Sequence, residues 1–265
     1  MNKIKILLFA SLLITLASCT LNKAKINNDL KKYFDSAHVE GSFAFLNNQM
    51  GNITVYNMQL DTQRMSPGSS FKIPLTLVGV QTGKIISENN IPVATDSGKL
   101  KQMTLNEIFN SPNVDYFQSV ARQIGKDTLK LWIDSLGYGN KKVEGAVDSF
   151  WLNNELKISP DEQLGLLSKL YFDQLPFQKY AQQMTRNAML QEDNTLYHLS
   201  YTTGTGSDEN NRPIGWVAGW IEENRHVYFF VTFLRSKDKN QDLHLAGVNI
   251  TKEILTEMGF FKGEK

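Results

Sequence analysis

Two runs rich in aromatic and β-branched residues, 215–221 and 226–234, are separated only by Glu222, Glu223, Asn224 and Arg225. Strong β-formers on both sides of a short polar break specify a hairpin. A similar pair lies near the other end of the chain. There Ser42-Phe43-Ala44-Phe45-Leu46 and Ile53-Thr54-Val55-Tyr56 flank Asn47, Asn48, Gly51 and Asn52. The stretch between the two hairpins has helical spacing. Leu105, Ile108 and Phe109 begin one apolar face; Phe117, Val120, Ala121 and Ile124 form another. Ser159-Pro160-Asp161-Glu162 has the form of a helix start, ahead of the apolar face Leu164, Leu167, Leu170 and Tyr171. A last helix is expected over roughly 248–258. Strands near both ends with helices between them imply an α/β fold of the α+β type. One antiparallel sheet is drawn from both ends of the chain, with helices packed on it and a helical subdomain inserted. A cleft between sheet and insert is the expected place for a site. Trp216 and Trp220 are four apart on a strand, share a face, and read as packing residues.

The first residues read as an address. Lys3 and Lys5 precede an apolar run, 6–16, too short to span a bilayer as a helix. Leu16-Ala17-Ser18-Cys19 follows and resembles a bacterial lipoprotein box, in which the cysteine is lipidated and becomes the first mature residue. Cys19 is the only cysteine in 265 residues, so no disulfide framework and no multi-cysteine metal site can form. The expected division is a signal peptide at 1–18, a polar tether at 19–33, and one domain at 34–265. The implied location is the bacterial cell envelope, lipid-anchored and facing the periplasm or the exterior. Without Lys3 and Lys5 the chain has 26 basic and 27 acidic residues. That balance gives no electrostatic argument for nucleic acid and does not suggest a basic surface for anionic lipid, so no nucleic-acid partner is expected and membrane contact is expected through the lipid alone.

Chemistry is concentrated in a few places. In Pro67-Gly68-Ser69-Ser70-Phe71-Lys72, a helix beginning near Ser69 puts Lys72 one turn later on the same face. A serine hydroxyl needs a base, and a lysine kept neutral by apolar surroundings can serve. Ser-x-x-Lys alone is common; Ser236-Lys237-Asp238-Lys239 has the same spacing in a charged loop with nothing to depress an amine pKa. The second piece is Ser111-Pro112-Asn113, which also reads as a helix cap. The third is Thr202-Thr203-Gly204-Thr205-Gly206 on the strand before the Trp-rich hairpin. His38, His198, His226 and His244 are scattered, and no metal site is expected.

Ser-x-x-Lys, then Ser-x-Asn, then Lys-Thr-Gly is the order found in serine β-lactamases and penicillin-binding proteins. The chain resembles a class D (oxacillinase-type) serine β-lactamase, or the similar penicillin-sensor domain, over about residues 40–260. Gly41-Ser42-Phe43-Ala44, Phe117-Gln118, the run Ala121 to Gly125, Tyr138-Gly139-Asn140, Phe150-Trp151-Leu152, the run Ile158 to Gln163, Gly215-Trp216 and Gly219-Trp220 carry the likeness beside the three motifs. The resemblance implies hydrolysis of β-lactams through an acyl-enzyme. Ser69 is the implied nucleophile. Lys72 would be carboxylated by carbon dioxide, the carbamate being the base. Ser111 would relay a proton to the leaving nitrogen. The backbone N–H groups of Ser69 and Thr205 would form the oxyanion hole, with Thr203, Gly204 and Asn113 lining the substrate. Phe71, Val114, Trp151 and Leu152 would enclose the lysine, Trp151 donating its indole N–H to the carbamate. No other cofactor is expected.

The chain departs from that family in its cations. The third motif opens with Thr202 instead of lysine, and Gly247 stands where an arginine just before the last helix would hold the substrate carboxylate. Arg186, Arg212 and Lys252 are the candidate substitutes. An ungapped match would also put Pro112-Asn113-Val114 on the second motif, leaving Ser111 one residue out. Loss of both cations favours a scaffold that is acylated with little turnover, a penicillin-binding or sensor protein; the Ser69–Lys72 pair with Trp151 favours a hydrolase. A peptidase or esterase on substrates lacking the usual carboxylate is a third alternative.

Overall fold

The computed structural model describes residues 24–94, 98–111 and 115–265. Cys19, Asn113 and Val114 lie outside the described residues. In chain order the elements are β1 (Lys25–Ile26), α1 (Lys31–Ser36), β2 (Glu40–Asn47), β3 (Asn52–Tyr56), α2 (Met58–Asp61), a 3-10 turn (Gly68–Phe71), α3 (Lys72–Gln81), β4 (Ile91–Ala94), β5 (Leu100–Met103), α4 (Leu105–Asn110), α5 (Asp115–Ile124), α6 (Lys126–Leu136), α7 (Pro160–Tyr171), α8 (Lys179–Ala188), β6 (Leu190–Asp193), β7 (His198–Ser207), β8 (Pro213–Glu223), β9 (His226–Arg235) and α9 (Leu243–Glu257).

The main sheet has the order β1-β3-β2-β9-β8-β7-β6, so the two expected hairpins meet where β2 pairs with β9. All its pairings are antiparallel except β1 with β3. The sheet drawn from both ends of the chain is therefore present, with helices on it. Its central strands are buried on both faces. Phe229, Val231 and Phe233 of β9, with Trp216, Ala218 and Trp220 of β8, face the core shared with α3 to α8. Phe230 and Leu234, with Val217 and Ile221, face a second core under α1 and α9, alongside Ile250 and Ile254. The period-two alternation of a strand separates the two sets. Trp216 and Trp220 do share one face; the Trp216 indole donates to the Ser66 carbonyl at 3.0 Å.

Helix α7 begins as its sequence requires. Ser159 N–H and Oγ both donate to the Glu162 carboxylate, at 3.0 and 2.9 Å, and Pro160 takes the position where a missing N–H costs nothing. Two boundaries differ from expectation. The last helix starts at Leu243, because Asp242 caps it by accepting from Leu245 N–H at 3.0 Å. Paired and packed residues are already present before residue 34: Lys25 and Ile26 pair with Thr54 and Val55, and Leu30 is 1 % exposed. A two-residue edge strand has too little periodicity to be seen in sequence.

Candidate active site

Ser69 stands in the 3-10 turn and Lys72 opens α3, so no single helix carries both. The tighter turn still aligns them, because side chains three apart eclipse in a 3-10 geometry. Two glycines let this turn lie against β7. A Cβ on Gly204 would stand 2.4 Å from Ser70 N, and one on Gly68, whose φ is +52°, would stand 2.3 Å from Thr205 O. At that approach Thr205 N–H donates to Ser69 Oγ at 2.9 Å. Ser70 is the buried neighbour. Its hydroxyl donates to Pro67 O at 2.7 Å and accepts from Gln163 at 3.1 Å, which ties the turn to α7.

Ser69 and Lys72 border one cleft of about 430 Å³. Ser111, Trp151, Leu152, Thr203, Gly204 and Thr205 also line it, so the structure brings together most of the residues the sequence singles out. Ser111 lies at the C-terminal end of α4 and donates to Ile108 O at 3.0 Å. Phe71 stands one layer back: its ring stacks on Trp151 at 5.2 Å and meets the edges of Tyr138 and Phe150. The Trp151 loop is clamped at both ends. Ser66 Oγ donates to Trp151 O at 2.9 Å, and Asn140 of the Tyr-Gly-Asn stretch bonds Glu155 O and Lys157 N–H at 2.7 and 3.0 Å.

The Lys72 side chain is buried, 8 % exposed. Its amine donates to Phe109 O at 2.6 Å and lies 5.0 Å from the Phe109 ring centre, without a hydrogen bond to Ser69 Oγ. Burial pulls its pKa from 10.5 down to about 7, so a large fraction is neutral at physiological pH. Phe109 was not among the residues expected here. Its carbonyl is available because it is in the last turn of α4, where helix carbonyls lack an intrahelical donor. Leu75, Asn110, Phe117, Asp242 and His244 are further lining residues missed in the sequence. Leu75 is one helical turn beyond Lys72, a spacing that could have found it. Asp242 and His244 come from the far end of the chain and carry no local signal.

The missing cations are not replaced by the residues proposed for it. Thr202 is fully buried and its hydroxyl turns to the Thr203 carbonyl. Gly247 lies inside α9, not before it, and a Cβ there would meet Val217 at 2.9 Å. Arg186 is paired with Asp173 at 2.6 Å, Arg212 with Asp208 at 2.7 Å and Lys252 with Glu192 at 2.5 Å; none lines the cleft.

Residues 38–256 match the penicillin-binding protein transpeptidase domain family. A probable β-lactamase, YbxI of Bacillus subtilis, is 32% identical over 90% of this chain and 87% of its own length. The crystal structure of FUS-1 (OXA-85), a class D β-lactamase from Fusobacterium nucleatum, superposes with a TM-score of 0.81. It is 29% identical, and the match covers 90% of this chain and all of the other. The regulatory protein BlaR1 of Bacillus licheniformis is 27% identical over 88% of this chain, a match that takes in 39% of BlaR1.

Proposed function

We propose that this chain, which belongs to the penicillin-binding protein transpeptidase domain family, hydrolyses β-lactams through an acyl-enzyme on Ser69. What carries this reading is a serine hydroxyl held by the Thr205 N–H in a cleft that also contains a buried amine of lowered pKa. Ser69 Oγ attacks the lactam carbonyl carbon. The oxyanion develops at the Thr205 N–H, joined by that of Ser69. The lactam C–N bond then breaks, Ser111 passes the proton to the leaving nitrogen, and water hydrolyses the ester. The residues around Lys72 suit carboxylation. Its amine is neutral in large part, and Trp151 lines the cleft, its indole N–H having no hydrogen bond to a described residue. When present, the carbamate supplies a carboxylate base for both half-reactions. Below about pH 7 Lys72 Nζ protonates, the neutral amine disappears, and turnover is expected to fall.

The likeness to BlaR1 over most of this chain supports a second reading, a sensor acylated without release. One measurement separates the two. The protein is incubated with a chromogenic cephalosporin and a penicillin in bicarbonate, while turnover and intact mass are followed. Steady turnover is expected. A stable adduct of the whole drug without turnover would favour the sensor, and neither signal would leave a non-lactam acyl donor.

Gly204→Ala tests the oxyanion site. The added methyl must push β7 off the turn, because the atom it meets is backbone. Acylation is expected to fall on the order of 10²-fold or more, the worth of one oxyanion donor, with Gly206→Ala a milder control, since its Cβ would be 3.3 Å from Gly68.

The anchored location remains our proposal as well. Cys19→Ser is expected to move the protein from the membrane to the soluble fraction on centrifugation of cells. The sheet register supports a cleft held clear of the anchor. Lys25 sits beside Thr54, next to the β2–β3 turn. That turn is level with Leu199 through Asn47, Tyr228 and Ile221. Thr205 lies farther along β7 by about 20 Å at 3.3 Å per residue.

A further inference from the structure

Penicillins and cephalosporins carry a carboxylate on the ring fused to the lactam, and a cleft that binds them must meet that charge. Among the described residues lining the cleft, only Lys72, Asp242 and His244 can carry charge. The other lining residues, from the end of α4, the Trp151 loop and β7, are Asn110, Ser111, Trp151, Leu152, Thr203 and Thr205, all uncharged. Lys72 faces in from α3, but burial suppresses its charge and its amine is given to Phe109 O. Asp242 is an anion, occupied in part by capping α9. His244, in the first turn of α9, is exposed at the cleft and has no hydrogen bond to a described residue. Gly247, one turn farther along α9, is packed on Val217 and cannot be exchanged for a long cation without moving the helix.

We propose that His244 is the specificity-determining residue that receives the carboxylate of the acyl donor. This rests on the β-lactam reading above. The N–H groups of its imidazole can donate to that carboxylate. A carboxylated donor is therefore preferred over one whose carboxylate is esterified.

The test compares benzylpenicillin with its methyl ester, taking the ratio of kcat/KM for acid over ester. All ratios are taken at one pH, so the protonation of Lys72 is held constant between the variants. In His244→Ala the ratio is expected to fall about tenfold, the worth of one charge-assisted hydrogen bond. In His244→Arg it should equal or exceed that of the unmodified protein. A ratio that changes less than about twofold in His244→Ala overturns the assignment. If Ser69 forms no adduct with either compound, the β-lactam reading falls and this assignment with it. An adduct with a ratio unchanged in His244→Ala removes His244 alone.

Discussion

Replacing Ser69 with alanine is expected to abolish the covalent adduct and to lower β-lactam turnover on the order of 10³-fold or more. The size follows from the role. A cleft that only binds and polarises the lactam keeps a small part of the acceleration, and the covalent route is lost with the hydroxyl. The fold should survive, because Ser69 is half-exposed and loses one hydrogen bond, to Thr205 N–H. Such a bond is worth about 1 kcal/mol. Intact-mass spectrometry after incubation with a penicillin should show one added drug in the parent protein and none in the variant. Ser70 is the adjacent hydroxyl. It is fully buried, with its hydroxyl bonded to Pro67 O and Gln163. An adduct that persists in Ser69→Ala would sink the assignment of the nucleophile.

Lys72→Met should produce two large effects of opposite value to the protein. Turnover is expected to drop on the order of 10³-fold, since no other described titratable group with a lowered amine pKa lines the cleft. Stability is expected to rise. The Lys72 pKa is about 7 in the folded protein against 10.5 for the free side chain. Between those values the unfolded chain binds a proton that the folded protein does not. Stability therefore increases with pH through that window, and the cost of burying the amine is present in full below pH 7. At about 1.4 kcal/mol per pKa unit the cost is on the order of 3–5 kcal/mol. Methionine fills a similar volume with no charge to desolvate. Urea melts at pH 6, 7.5 and 9 should show the variant's advantage largest at pH 6 and shrinking towards pH 9. A constant difference across that range would mean that the Lys72 amine is not held neutral by the fold. The site would then be a case in which function is not bought with stability.

Much of the fold was legible because it is periodic. The 215–234 hairpin, the Ser159–Glu162 helix start and the apolar faces of α4 and α5 all appear as expected. The short edge strand β1 and the start of α9 were missed, one for want of length and the other because its cap is an ordinary Asp in a polar loop. The site divides in the same way. Ser69, Lys72 and the Thr203–Thr205 stretch announce themselves by spacing. Phe109 does not, because its part is played by a main-chain oxygen, which no side-chain motif encodes.

The amino-acid sequence alone determined which residues could be chemically active: a hydroxyl three positions before an amine, a Gly-bearing strand to meet them, and apolar neighbours in sufficient number. The tertiary structure alone decided the state of those groups. The charge on the Lys72 amine depends on how much water surrounds it, and the reach of the Thr205 N–H depends on how closely β7 approaches the turn. Solvation and close approach are properties of segments far apart in the chain, so neither can be read from local order.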